Sequence, residues 1–495
     1  MEKQIKISKK LQRAREYEQQ ELKNRTMVEK QSFHVCAPVG WMNDPNGFSE
    51  YQGENHLFFQ YHPYDTVWGP MHWGHMKTSD FIRWESLPVA LAPDEKYDGF
   101  GCFSGSAIEW KGKHVTAYTG VERKTEENNQ VKDYQTQCIA IGNGISYEKI
   151  SENPVITSAQ IPDGGSCLDF RDPKLWVEDD SIYMVVGNRA QDGSGQILMY
   201  QTTDLKHWEL ITVLSKCNNR YGKMWECPDF FSLDNQDVLI TSPQEMTAVE
   251  YDFHAGDGSI YILGQFDKNK SVFTEKEIRA LDMGLDFYAP QTMQTSDGRR
   301  IMIGWMQAWS ASWFGKEDGF CGMMSIPREL HVKNNVLCQT PVREIENYYT
   351  NKQFIEKELL KTKFKKYDSL SGREQNLEII LEGEDNYTFE MRLAANDTYY
   401  STVKYDKKEQ LLTFSRIHSG VRRDGAHERS MKILTNDTYF KLRIVMDRYS
   451  IELFVNDGEQ AMTSIIRTPY EIDGVYMRSE GKVYVSGEKN DICIK

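Results

Sequence analysis

Nowhere in its 495 residues does the chain contain an apolar run of 18, the length a bilayer-spanning helix requires. The first thirty residues, MEKQIKISKKLQRAREYEQQELKNRTMVEK, lack the apolar centre and small-residue cleavage site of a secretory leader. A cytoplasmic protein is expected. An excess of basic residues is also missing, since 59 Lys and Arg stand against 73 Asp and Glu for a formal net charge of −14. That balance excludes a nucleic-acid backbone or an anionic membrane surface as partner, because both are gripped by clustered cations. Nine cysteines are present, an odd number with no Cys-x-x-Cys pair, which argues against a disulfide framework or a zinc site and for buried free thiols. No metal is expected. Aromatic residues, at 12%, are the enriched class in a composition otherwise typical of soluble globular proteins.

At this length two or three structural units are expected. Residues 1–31 are rich in Lys, Glu, Gln and Arg, with Ile7, Leu11 and Leu22 spaced as on a surface helix. Beyond them five short β-type runs recur: HLFFQY (56–61), VTAY (115–118), IYMVV (182–186), VLIT (238–241) and IMIGW (301–305). Their first apolar residues, at 57, 115, 182, 238 and 301, are separated by 58, 67, 56 and 63 positions. A second marker keeps the same period: Asp80-x-x-x-Trp84, a degenerate Asn143-x-x-x-Tyr147 and Asp204-x-x-x-Trp208 step by 63 and 61. Self-similarity of this length in β-rich units is the pattern of propeller blades, and five repeats predict five blades. From about Tyr349 the pattern becomes plain alternation, as in YTFEMRL (387–393) and YSIELFV (449–455), with Asn456-Asp457-Gly458 supplying hairpin turn chemistry. The expected fold is all-β: a five-bladed β-propeller over 32–340, a linker at 341–348 and a β-sandwich over 349–495, preceded by the short helix.

Before each of the five runs stands a polar cluster. These are Asn43-Asp44-Pro45-Asn46-Gly47, Phe103-Ser104-Gly105-Ser106, Arg171-Asp172-Pro173, Glu226-Cys227-Pro228-Asp229 and Asp286-Phe287-Tyr288-Ala289-Pro290-Gln291. Their leading groups Asp44, Phe103, Asp172, Glu226 and Asp286 lie 13, 12, 10, 12 and 15 positions ahead of the run that follows. Similar offsets imply equivalent places in the blades, all facing one mouth of a central channel. Taken singly, Asn-Asp-Pro-Asn-Gly reads as a turn and Arg171-Asp172 as a structural ion pair. Together, carboxylates converging on one pocket repel one another, so one is driven to hold a proton while another stays ionised. Glycoside cleavage uses that division, with an ionised carboxylate attacking the anomeric carbon and a protonated one serving the leaving oxygen. Asp229 is a rival to Glu226 on this reading alone. Trp41, Trp68, Trp73, Phe103, Trp305 and Trp309 fall in or near the clusters and offer flat faces to a sugar ring, while Asn43 and Gln60 offer amides to its hydroxyls. Trp41 and Trp68 are placed in the pocket, and Phe103 and Asp286 join the substrate-binding candidates.

These residues resemble the family-32 glycoside hydrolases, which include invertases, sucrose-6-phosphate hydrolases and fructan hydrolases. The resemblance rests on Trp41-Met42-Asn43-Asp44-Pro45-Asn46-Gly47, Phe58-Phe59-Gln60-Tyr61, Phe103-Ser104-Gly105-Ser106, Arg171-Asp172-Pro173, Glu226-Cys227-Pro228-Asp229 and Phe454-Val455-Asn456-Asp457-Gly458, and covers nearly the whole chain. It implies a propeller followed by a sandwich and a retaining β-fructofuranosidase acting on sucrose, sucrose 6-phosphate or short fructo-oligosaccharides. It further implies that Asp44 is the nucleophile, Glu226 the acid/base and Asp172 the transition-state stabiliser, with Asn43, Gln60, Trp68, Ser104 and Arg171 lining the fructosyl subsite. Two carboxylates suffice for this chemistry, so no cofactor is expected. A fructosyltransferase with the same pocket and a non-catalytic carbohydrate-binding propeller are the competing readings. A phosphate on the substrate would need a cation, for which His72, His75, Arg189 and Arg328 are all candidates. The sequence does not speak to oligomeric state.

Overall fold

The computed structural model describes residues 5–24, 30–307, 309, 313–383, 386–421, 425–434 and 439–494. Each of the five apolar runs lies in the second strand of an antiparallel sheet: Glu54–His62, Lys113–Thr125, Ser181–Arg189, Gln236–Pro243 and Arg300–Trp305. The polar clusters are not loops ahead of these sheets. They lie in or at the edge of the first strands, Gly40–Tyr51, Gly101–Trp110, Phe170–Glu178, Trp225–Leu233 and Tyr288–Gln294. Five sheets, each built on four consecutive antiparallel strands, thus follow one another as far as Pro341, except that an excursion after Trp305 delays the third strand of the fifth sheet to Arg328. The five first strands neighbour one another in turn, and the fifth returns against the first. Phe320–Cys321, from that excursion, pairs in parallel with Gly40 and Trp41 and extends the first sheet.

The secondary sequence marker has a physical basis. Asp80 Oδ1 accepts from the amides of Ile82 and Arg83, Asp204 Oδ1 from those of Lys206 and His207, and Asn143 Oδ1 from those of Ile145 and Ser146. Each is a side-chain-capped turn joining the third and fourth strands, with a positive φ one residue later at Phe81, Leu205 and Gly144. The indoles of Trp84 and Trp208 donate to the carbonyls of Phe81 and Leu205, pinning the turn to the sheet.

The N-terminal helix runs over Lys9–Asn24, with the Ser8 hydroxyl accepting from the Leu11 amide at its start. Leu11, Ala14 and Glu18 form its buried face, whereas Ile7 and Leu22, assigned to that face from spacing, are exposed. The helix is held by polar contacts: Arg15 Nε donates to Val89 O (2.8 Å) and Lys10 Nζ to Pro93 O (2.7 Å). Two carbonyls at the rim of the first sheet thus add polar ties to a short apolar seam made by Leu11 and Ala14.

Two six-stranded antiparallel sheets make up the chain after Tyr349 and enclose a separate core that includes Leu377, Phe389, Leu442 and Leu453. Along Ser450–Val455, Ile451, Leu453 and Val455 enter that core. The alternate residues Ser450, Glu452 and Phe454 are equally buried, because their face packs on the first part of the chain. Glu452 accepts from His34 Nε2 (2.8 Å), from the Ile326 amide (2.8 Å) and from Arg328, whose guanidinium also meets Asp282 (2.9 Å). Six cysteines are buried and free, as expected, but Cys167 and Cys227 are only half-buried and Cys493 is exposed. Among the described residues, no helix is long and apolar enough to cross a membrane.

Candidate active site

All five first strands lose register with their neighbours at the polar clusters. The slips fall between Met42 and Pro45, Phe103 and Gly105, Arg171 and Lys174, Glu226 and Asp229, and Tyr288 and Gln291. A bulge frees its extra residues from the ladder and re-aims their side chains. Pro45, Pro173, Pro228 and Pro290 sit at four of these slips, where the missing N–H costs no ladder bond. Asp172, Cys227 and Ala289 adopt positive φ of 70°, 47° and 50°. Non-glycine residues in that region cost about 1 to 3 kcal/mol each, so the packing around the site holds them there. At the second slip the constraint is space: a Cβ on Gly105 would lie 2.0 Å from the Ala117 carbonyl.

Three carboxylates meet where the first, third and fourth of these strands approach. Asp44 Oδ2 accepts from Ser104 Oγ (2.7 Å) and Oδ1 from Asn43 Nδ2 (3.1 Å). Asn43 is itself oriented by the Trp41 indole, which donates to its Oδ1 at 2.8 Å. Asp172 Oδ2 accepts from the Cys227 amide (3.0 Å), which the left-handed backbone there turns inward. The Cys227 thiol lies between the two aspartates, 3.5 Å from Asp44 Oδ2 and 3.6 Å from Asp172 Oδ2. Glu226 accepts from Arg171 Nε (2.8 Å) at one oxygen and from the Tyr288 hydroxyl (2.6 Å) at the other. Arg171 is steered by Asp169 (3.0 Å) and Gln135 (3.4 Å).

The electrostatics follow from burial and crowding. Burial, then the nearby Glu226 charge, pushes Asp44 up from the ordinary carboxylate range against the opposing hydrogen bonds of Ser104 and Asn43. Burial and Glu226 likewise carry Asp172 up to about 7, with Arg171 opposing and Asp44 adding to the rise. Mutual repulsion at this spacing leaves the three groups with fewer negative charges than there are carboxyls. Tyr288 can serve either state of Glu226. Its single proton can go to the carboxylate, or to the Ser242 carbonyl at 3.1 Å, leaving a phenol lone pair to accept from a protonated Glu226. The arrangement therefore supplies a buried carboxylate held by neutral donors, Asp44, beside one held by a guanidinium and a phenol, Glu226.

Of the residues picked from sequence, Asn43 and Ser104 hold Asp44, Arg171 holds Glu226, and Cys227 links Asp44 to Asp172, with Trp41 one bond removed. Gln60 is buried and donates to the Cys102 carbonyl (3.1 Å) beside them. Trp68 is 38% exposed and packs edge-on against Phe103 at 5.8 Å, forming an aromatic rim, and Trp309 stacks on Trp41 at 6.5 Å. Trp73 and Trp305 are wholly buried. Asp286 is not in this group: its carboxylate is bound to Arg416 and accepts from the Ile465 amide (2.7 Å), making it a buried tie to the second part of the chain. Asp229 is also turned elsewhere, 3.1 Å from Lys174 Nζ and accepting from the Thr292 amide (2.6 Å). Sequence reasoning passed over Tyr288 and Cys227. A signal for Tyr288 existed, because Asp286 stands 15 positions ahead of its run against 10 to 13 for the others, while Tyr288 stands 13 ahead.

The first part of the chain, residues 34–341, matches the model of the glycosyl hydrolases family 32 N-terminal domain, and residues 344–490 match that of the family 32 C-terminal domain. A sucrose-6-phosphate hydrolase of Escherichia coli is 37% identical over 435 residues, 88% of either chain, and a raffinose invertase of the same organism is 38% identical over 440 residues with the same coverage. Among solved structures, a β-fructofuranosidase of Bombyx mori superposes with a TM-score of 0.81 at 31% identity, covering 97% of this chain and 98% of that one. A sucrose-6-phosphate hydrolase of Lactobacillus gasseri gives 0.83 at 26% identity, covering 99% and 97%. Matched by both family models over nearly its whole length, and sharing more than three residues in ten with relatives across most of it, the chain that brings these three carboxylates together belongs to glycosyl hydrolase family 32.

Proposed function

We propose that the chain is a retaining β-fructofuranosidase that removes the terminal β-D-fructofuranosyl unit of sucrose, sucrose 6-phosphate or a short fructo-oligosaccharide. The observation that carries this reading is the meeting of Asp44 and Asp172 at the Cys227 thiol, close enough to Glu226 for its charge to add to burial in raising both, with the three carboxyls coming from three separate strands. Asp44, with Ser104 and Asn43 donating to its two oxygens, is the nucleophile: its oxygen bonds to the anomeric carbon as the bond to the leaving oxygen breaks. Glu226 gives its proton to that oxygen, then takes one from the water that cleaves the fructosyl ester, and Arg171 and Tyr288 fit its ionised form in between. Asp172 forms no bond to the sugar carbon. It holds fructosyl hydroxyls and adds negative potential beside the oxocarbenium-like transition state. Trp41, Gln60, Trp68 and Phe103 complete the fructosyl subsite on the side of the first two sheets.

We further read the five successive sheets as the blades of a propeller spanning 32–340, closed where the fifth first strand meets the first, with 341–348 as linker and 349–495 as a β-sandwich. A cytoplasmic location agrees with the phosphorylated sugar among the candidate substrates, since a doubly charged phosphate does not cross a bilayer unaided. The test is to follow sucrose cleavage by proton NMR. Equal initial rates of glucose and fructose release, with the β-anomer of fructofuranose appearing first, are expected. The α-anomer first would overturn retention, and glucose released in excess of fructose would mean transfer to a sugar acceptor. Comparing kcat/KM on sucrose, sucrose 6-phosphate, kestose and inulin then ranks the leaving groups.

A further inference from the structure

Four cations were open as readers of a substrate phosphate, and the fold removes three of them. Arg328 is fully buried between Asp282 and Glu452. His75 is sealed against Phe58 (ring centroids 3.9 Å) and hydrogen-bonded to His56, and burial pushes it well down from the ordinary histidine value. His72 is buried with Nδ1 on the Pro70 carbonyl (2.9 Å), and burial lowers it to about 4, so it is uncharged at neutral pH. Arg189 is different. It ends the strand Ser181–Arg189, and its amide donates to the Asp169 carbonyl (3.2 Å) across the edge of the sheet that carries Arg171 and Asp172.

A ladder of alternating charges leads outward from the acid/base to this residue. Glu226 meets Arg171 at 2.8 Å, Arg171 meets Asp169 at 3.0 Å, and Asp169 Oδ2 lies 3.3 Å from Arg189 Nε. Side-chain exposure rises along it from 11% at Glu226 through 12% and 24% to 33% at Arg189, so the ladder climbs from the reacting bond to solvent. Because Glu226 serves the leaving oxygen, the surface beyond it on this side borders the leaving group and not the fructosyl ring, which lies towards Asp44. Arg189 Nε is buried and unaligned for a hydrogen bond with Asp169, and among the described residues that 3.3 Å ion pair is the one polar contact of its side chain. Arg171 is committed to Glu226, Asp169 and Gln135, and Lys223 to Glu245 at 2.7 Å, a carboxylate held down by Lys223 first and by the Arg189 charge as well. His254, half-buried and lowered to about 4 by desolvation and the Arg429 charge, is uncharged at neutral pH.

We infer that Arg189 reads a phosphomonoester on the leaving-group sugar, through the free fork of its guanidinium. The inference rests on the β-fructofuranosidase reading and adds to it the residue that distinguishes a phosphorylated from a neutral substrate. A planar fork facing a phosphate gives paired charge-assisted hydrogen bonds, and the Asp169 carboxylate attracts the guanidinium by charge alone at its Nε edge, leaving the outer N–H groups to the ligand. Sucrose places no charge there and does not use them.

The experiment is kcat/KM on sucrose and on sucrose 6-phosphate for the full-length wild type, Arg189→Gln and Arg189→Lys. The wild type is expected to prefer the phosphate. Arg189→Gln should lower kcat/KM on sucrose 6-phosphate by about tenfold or more, mainly through KM, while that on sucrose changes by less than about threefold. Arg189→Lys, with the charge but not the fork, should fall between. An unchanged ratio in Arg189→Gln, or equal losses on both sugars, overturns the assignment while sucrose cleavage leaves the hydrolase reading standing. A wild type that cleaves neither sugar would instead remove that reading. Product inhibition needs no variant: glucose 6-phosphate should inhibit the wild type about tenfold more tightly than glucose, with the gap narrowing as salt is raised, and equal inhibition overturns the inference.

Discussion

Replacing His34 by glutamine removes a cation that clamps two buried carboxylates of the C-terminal part to the segment leading into the first sheet. Burial alone would push the imidazole down, but Asp447 and Glu452, each 2.8 Å from a ring nitrogen, carry it up to about 9 from an ordinary 6.5. A histidine raised in the folded state contributes stability in full below its unfolded value, and that contribution is lost as pH rises through its folded value. The window is therefore pH 6.5 to about 9. The difference between those values corresponds to about 3 kcal/mol. With an unfolding entropy of about 1 kcal/mol/K for a chain of this size, wild-type Tm should fall by about 3 °C across the window if the molecule melts as one unit. His34→Gln leaves Asp447 and Glu452 with backbone donors and Arg328 but without the imidazolium. It should cost about 3 to 5 kcal/mol at pH 6 and show a flatter Tm between pH 7 and 9. Differential scanning calorimetry of both proteins at matched ionic strength measures this, and subtracting the two curves removes every group they share. A wild-type Tm that does not fall between pH 6.5 and 9, or a variant whose fall parallels it, would refute the reasoning.

Asp44→Asn should lower kcat by at least about four orders of magnitude while leaving Tm unchanged or slightly higher above pH 7, because burial and Glu226 already disfavour the charge it removes. Turnover and calorimetry on the same preparation, with deamidation excluded by mass spectrometry, decide it. Glu226→Gln should cleave sucrose at a similarly reduced rate, yet recover much of the first step on a fructoside whose leaving group departs without a proton; failure to recover would point away from Glu226 as the acid. Tyr288→Phe loses the 2.6 Å contact to Glu226 and should reduce kcat by about tenfold or more with KM within about twofold, whereas a rise in KM alone would make Tyr288 a binding residue. His56, lowered to about 4, and His75 and His114, both held well down, are neutral inside the first two sheets and must charge when the chain unfolds in acid. Their contribution to stability should therefore drop as pH falls from 6.5 towards 4, against the opposing contribution of Asp172, and a His56→Gln variant whose Tm profile over that range parallels the wild type would contradict burial of His56 in the neutral form.

Much of this was open to reading along the chain. The period of about sixty positions is a local property: the same capped turn recurs at Asp80, Asn143 and Asp204 because each repeat solves the same strand connection with the same residue types. The positions at which the carboxylates gather were legible for the same reason, since equal offsets before equal strands mark equivalent points. The direction each side chain takes was not. Strand alternation places Glu226 and Asp229 on opposite faces only if the ladder is regular, and the slip at Cys227 and Pro228 intervenes between them. Asp286 looked like a fifth member of the series, but its partner, Arg416, lies 130 positions away in another sheet.

Composition, period and cluster spacing thus determined by themselves that this chain is mostly strand, repeats five times, changes character near Tyr349 and places an acid before four of the five repeats. Tertiary structure alone decided that Asp44 and Asp172 share the Cys227 thiol, that the turned amide of Cys227 donates to Asp172, that Arg171 and Tyr288 stand against Glu226, and that Glu452 on Ser450–Val455 joins an ionic seam. The physical reason is range. Turns and periodicity arise from neighbours a few residues apart, whereas bulge direction, buried ion pairs and the sharing of protons depend on groups such as His34 and Glu452, which come together only when the whole chain has closed.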